Sequence, residues 1–145
     1  MGHATPEFGV RLPDANYVDR PGAYGVIRGN MGKLAFIQQK AGRLFLPGGG
    51  IEPGERPEDA LVREIIEEVG WSARILDSIG RATQFLFAEG EGHFAIRATY
   101  FRAVLAVPLT TRSEHEIVWL SAGAAATRLA RESDVWAISQ VCEIR

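Results

Sequence analysis

The chain has one cysteine, three histidines and two lysines in 145 residues. A lone thiol, Cys142, excludes an intrachain disulfide and suits a reducing compartment. With no clustered cysteine or histidine, a zinc site is excluded as well. No apolar run approaches the ~20 residues of a membrane span, and residues 1–6 lack the charged-then-apolar order of a signal peptide. The expectation is a cytoplasmic protein without a membrane partner. Charge of one sign is lacking too. Sixteen basic residues against 18 acidic ones leave −2, which speaks against nucleic acid as a partner.

What is present suffices for one domain. With 46% hydrophobic and 23% charged residues, a chain of this length buries roughly 70% of its unfolded surface. The charge is unevenly spread. Residues 49–71 hold seven acids (Glu52, Glu55, Glu58, Asp59, Glu64, Glu67, Glu68) against Arg56 and Arg63, so they carry −5 and the rest of the chain +3. An acidic focus on a mildly basic body suits a cation site that serves an anionic ligand. Arginine outnumbers lysine fourteen to two, and its planar fork suits phosphate.

Residues 1–20, with Pro6 and Pro13, read as an irregular arm or edge strand, and residues 21–145 as a single domain. Strands are expected at 23–28, 34–39, 44–46, 75–88 with a bend at Gly80, 94–107 and 117–120. A helix is expected from Pro57 to Val69: Pro57 suits its first position, Glu58 and Asp59 its positive end, and Gly70 its stop. Ser121 caps one terminal helix, and Val135, Ile138, Val141 and Cys142 mark another. The order is that of a mixed α/β domain without strict βαβ alternation.

On the central helix Glu64, Glu67 and Glu68 share an arc of roughly 100°, opposite a stripe of Leu61, Ile65 and Val69. Like charges at these spacings repel by a few tenths of a kcal/mol per pair, so a cation is expected among them. Oxygen ligands suit magnesium, with manganese as the alternative, and magnesium pairs carboxylates with substrate phosphates. Solvated surface is the competing reading for an isolated acidic triplet. The spacing of the whole stretch overturns it. Gly49, five residues, Glu55, seven residues, Arg63-Glu64, Ile65, one residue, Glu67-Glu68, one residue, Gly70 and an apolar residue reproduce the complete Nudix box. Seven fixed residues make a chance match of order 10⁻⁷. The chain thus resembles the Nudix hydrolases; its one departure is Trp71, where an aliphatic residue is usual.

The resemblance implies an α/β/α sandwich around a mixed β-sheet, with the box as loop–helix–loop. It implies hydrolysis of a nucleoside diphosphate linked to another group, by water attacking phosphorus with divalent-metal help. Glu67 and Glu68 match the principal metal ligands, often joined by the Gly48 carbonyl; Glu64 matches a metal ligand or general base. Glu55 supports a further ion or orients Arg63, and Arg63 orients carboxylates. Gly49, Glu55 and Gly70 complete the supporting frame. A further acid often comes from outside the box, with Glu114 or Glu116 preferred over Glu89 and Glu91. Arg28, Arg43, Arg81 and Arg97 are candidates for substrate phosphates, and Phe45, with Tyr24 or Phe85, for stacking on a base. The subfamily markers for ADP-ribose, dinucleoside polyphosphates and coenzyme A are missing after the box. That leaves a small-molecule nucleotide, a nucleoside triphosphate or modified nucleotide, as the expected substrate. The alternatives are an RNA 5′-end pyrophosphohydrolase and a non-hydrolytic nucleotide-binding module. The proline-rich arm offers a contact for a homodimer.

Overall fold

The computed structural model describes residues 4–109 and 112–144; His3 and its neighbours at the start of the arm lie outside that range. The elements begin with β1 (Glu7–Phe8), β2 (Tyr17–Ile27), β3 (Leu34–Gln38), β4 (Leu44–Phe45) and β5 (Gly48–Gly50). Helix α1 (Pro57–Val69) follows, then the long strands β6 (Trp71–Ala88) and β7 (Gly92–Pro108). Strand β8 (Ile117–Leu120) and helices α2 (Ala122–Ala126) and α3 (Glu132–Ser139) complete the chain.

Strands β1-β6-β7-β2-β5 form a five-stranded mixed sheet, and β4-β3-β8 a smaller antiparallel one. Within the larger sheet β2 runs parallel to β7 in one register, from Tyr17 opposite His93 to Ile27 opposite Ala103. The β6–β7 hairpin shifts register three times, once between Ser78 and Gly80, where the bend was expected.

Helix α1 packs Leu61, Ile65 and Val69 with Ala23, Ile27, Ala35, Ile37, Phe101 and Ala103. A second core brings Tyr24, Val26, Leu34, Phe36, Ile96 and Tyr100 against Ala122, Ala125, Ala137 and Ile138 of α2 and α3. Residues 23–27, 34–37 and 98–103 thus feed both cores by alternation, which gives near-continuous apolar runs in place of polar–apolar alternation. This is the helix–sheet–helix sandwich implied by the resemblance.

Three boundaries differ from expectation. Of the two readings for residues 1–20, residues 7–8 take that of an edge strand, as β1, but β2 starts at Tyr17, ahead of the expected 23, and β6 at Trp71, ahead of 75. The polar first half of β2 hides its strand character. It is held by pairing with β7 and by the ion pair from Arg97 to Asp19, at 3.0 Å. Helix α3 ends at Ser139, short of Cys142, and continues as a turn in which the Val141 N–H donates to the Ile138 carbonyl at 3.1 Å. The ends of α1 agree with expectation, including the Gly70 N–H that donates to the Ile66 carbonyl at 2.9 Å.

Candidate active site

Burial of Leu61 and Ile65 fixes the rotation of α1, and that rotation turns Arg63, Glu64, Glu67 and Glu68 toward the glycine-rich loop. Arg63 is the hub. Its Nε and one terminal nitrogen each meet a Glu55 oxygen at 2.8 Å, and the second also donates to the Gly50 carbonyl at 2.9 Å. Its other terminal nitrogen reaches Glu64 at 3.0 Å and Glu67 at 3.4 Å. The Arg63 hydrogen bonds hold the Glu55 carboxyl far below its ordinary range, at about 2. Of the two expectations for Glu55, the geometry shows the bond to Arg63.

Glu68 is the buried member, 8% exposed, and accepts a hydrogen bond from the Gly48 N–H at 2.9 Å. Burial, and then the charges of Glu64, Glu114 and Glu67, push its carboxyl up to about 8 against the pull of that N–H. Burial raises Glu64 as well. A buried carboxylate among like charges resists ionisation unless a cation compensates it, so the donor set fits a hard divalent ion. Among the described residues no three His, Cys, Asp or Glu side chains are gathered so as to hold a metal ion by themselves; magnesium takes as few as one or two carboxylates.

The glycines ahead of α1 are a steric requirement. A Cβ on Gly49 would lie 2.5 Å from the Glu64 carboxyl carbon, and one on Gly48, at φ +139, 2.1 Å from the Ala23 carbonyl oxygen. Any side chain at 49 therefore displaces Glu64. The loop before β8 closes the other side, through the Glu114 N–H to the Glu67 carbonyl (3.3 Å) and the His115 N–H to the Glu68 carbonyl (2.8 Å). The Glu114 charge acts on both Glu64 and Glu68. Glu116 lies on the same segment, yet its charge is not among those acting on either. Glu89 and Glu91 lie at the exposed end of the β6–β7 hairpin.

Glu68 and residues 48–50 form one wall of a pocket of about 280 Å³, closed by Tyr24, Phe45, Leu46, Ile96 and Arg131, with Arg20, Pro21 and Gln39 also lining it. Phe45 is thus brought to the site. Arg43 lies over the Phe45 ring at 5.2 Å without lining the pocket. Arg28 donates to the Cys142 Sγ at 3.0 Å, away from the carboxylates. Arg81 and Arg97 line a separate depression of about 350 Å³ with Thr83 and Thr99. Sequence reasoning missed Arg20, Gln39 and Arg131. Arg131 stands in a connection with no periodic pattern, and its only sequence signal is the pair of acids that follows it, Glu132 and Asp134.

Arg131 packs between two rings, its central carbon 5.5 Å from the Tyr24 centroid and 5.2 Å from that of Phe45, and it donates to the Tyr24 hydroxyl at 3.1 Å. Its Nε is buried without a hydrogen-bond partner. Leaving a buried donor unpaired costs about 1–3 kcal/mol. Asp134, fully buried beneath it, accepts instead from the Leu46 N–H (3.2 Å) and the Tyr100 hydroxyl (2.8 Å).

A family model described as the NUDIX domain matches residues 18–138. Among curated relatives, a putative 8-oxo-dGTP diphosphatase of Bacillus subtilis is 38% identical over 60 residues, 41% of this chain and 40% of the relative. The 8-oxo-dGTP diphosphatase of Escherichia coli is 46% identical over 54 residues, 33% of this chain and 41% of its own. An RNA pyrophosphohydrolase of Erythrobacter litoralis is 40% identical over 62 residues, 39% and 38%. The chain therefore matches about two fifths of the length of each relative. Among solved structures, a NUDIX hydrolase from Nitrosomonas europaea has a TM-score of 0.66 at 20% identity, over 85% of this chain and 88% of that one. At that identity the likeness shows the fold.

Proposed function

Because this chain belongs to the NUDIX family, we propose that it is a divalent-metal-dependent pyrophosphohydrolase of nucleoside triphosphates or modified nucleotides. The observation that carries this reading is Glu68, which is buried, crowded by like charges and set in the wall of a pocket closed by two aromatic rings. A carboxylate so placed has a use when a cation and an anionic ligand meet it. Magnesium, or manganese in its stead, would supply the charge to neutralise the diphosphate and to activate the attacking water. Glu67 and Glu68 would hold it with the Gly48 backbone, and Glu64 either joins them or takes the proton of the water. Arg63, clamped by Glu55, keeps Glu64 and Glu67 in place. Glu114 is the acid from outside the box. The pocket volume of about 280 Å³ suits one nucleoside moiety. Relatives named as 8-oxo-dGTP diphosphatases agree with the mononucleotide reading and the RNA pyrophosphohydrolase with an RNA end; the net charge of −2 favours the mononucleotide.

The test is phosphate and pyrophosphate release from nucleoside triphosphates, oxidised nucleotides, ADP-ribose, dinucleoside polyphosphates and 5′-triphosphorylated RNA. Turnover confined to mononucleotides supports the proposal. Turnover of the RNA alone, or of none in either metal, overturns it.

A further inference from the structure

Arg131 lines the same pocket as Glu68 and makes no direct ion pair, the buried Asp134 acting on it through its charge alone. Among the described residues no carboxylate oxygen lies within salt-bridge reach of Arg131. Glu132, the next residue, is not among the charges acting on it, and Asp134, three residues on, directs its oxygens to Leu46 and Tyr100. The rings of Tyr24 and Phe45 flank the guanidinium, and Nε has no partner. An arginine is a donor at every nitrogen and an acceptor at none. A ligand group that reaches Arg131 in this pocket therefore meets terminal N–H groups set between aromatic walls. It is accommodated where it offers lone pairs and repelled where it offers its own N–H.

On the nucleotide-hydrolase reading above, the diphosphate lies at Glu67 and Glu68, and the nucleobase extends toward Arg131. We infer that Arg131 is a specificity-determining residue that selects bases presenting a carbonyl oxygen over those presenting an exocyclic amine at the same position. Arginine pairs with O6 and N7 of a 6-oxopurine, whereas the N6 amine of adenine turns two hydrogens toward it. The same contrast separates uracil, with O4, from cytosine, with its N4 amine. This deepens the proposed function, yet it concerns binding and is measurable without turnover.

Two nucleotide pairs carry the contrast: ITP against ATP, and UTP against CTP, each differing in the exocyclic group and in the hydrogen on the adjoining ring nitrogen. Affinities are measured by calorimetry in calcium and kcat/KM in magnesium, for the wild type, Arg131→Met and Arg131→Gln. Inorganic tripolyphosphate serves as the baseless control. Expected is a preference of about tenfold or more for the oxo member of each pair, falling to within about threefold in both variants, with tripolyphosphate affinity unchanged. A structural role for Arg131 would lower both members alike and leave the ratio intact, which overturns the inference. So does equal affinity of the wild type within each pair, a failure to bind any nucleotide, or a loss of tripolyphosphate affinity in the variants that marks a phosphate contact. Preferential binding in calcium without turnover in magnesium would sink the hydrolase reading and leave the selectivity standing. Equal turnover within each pair would do the reverse.

Discussion

At the scale of single residues, Glu68 concentrates the physics. Its buried carboxyl lies near 8, while in the unfolded chain it lies near 4.5. Between those values the folded, metal-free protein holds a proton that the unfolded chain has released. Stability of metal-free protein should therefore fall as pH rises from about 5 to 8. Glu68→Gln should flatten that slope and leave folding intact or improved, as chemical denaturation across pH will show. The same substitution should lower turnover about 10³-fold or more, since several kcal/mol of charge stabilisation goes with the ligand. The out-of-box acid gives a sharper contrast. Glu114→Gln should cost about 100-fold in kcat, and Glu116→Gln should stay near wild type. Rates near wild type in both would remove Glu114 from the site.

Much of this was legible in the sequence. The box spacing placed Glu64, Glu67 and Glu68 on one arc, and the Arg63 network conforms to it. Arg131 was not legible, because it reaches the pocket from a connection with no periodicity, 107 residues from its hydrogen-bond partner Tyr24. The reverse holds for Arg81 and Arg97. Their side chains promised phosphate contacts, but alternation along β6 and β7 sends them to the face opposite Ala82 and Ala98 and into a different depression.

At the scale of elements, α1 couples stability to function through its two faces. Leu61 and Ile65 are fully buried, and the carboxylates follow from where that burial points. Leu61→Ala should destabilise by about 2–5 kcal/mol and lower Tm by roughly 6–15 °C at about 3 °C per kcal/mol. Activity per folded molecule should survive at low temperature if only the anchoring face is damaged. Gly49→Ala should do the opposite. Its Cβ meets the Glu64 carboxyl group, so turnover should drop with little change in Tm, as paired melting and kinetic measurements will show. Element types were legible wherever the chain is apolar. The first half of β2 was not, since Asp19, Arg20 and Pro21 hide a strand whose partner β7 lies some seventy-five residues downstream.

At the scale of the whole molecule, the charge asymmetry read from the sequence acquires a location. Glu68 of the acidic stretch lines a pocket that Arg20 and Arg131 also line, so charges of both signs meet in one cleft. No helix among the described residues is long and apolar enough to cross a membrane. A divalent cation that binds only the folded state should raise Tm, by the equivalent of about 2.7 kcal/mol at a hundred times Kd, and this rise should vanish in Glu68→Gln.

The most direct measurement is pyrophosphate and phosphate release from a nucleoside triphosphate, with magnesium titrated from excess chelator upward, for the wild type and Glu68→Gln side by side. The expected result is no release in chelator, a saturable rise with magnesium in the wild type, and a rate at least about 10³-fold lower in the variant. Release that persists in chelator, or that is equal in the two proteins, would contradict a metal-dependent hydrolase centred on Glu68.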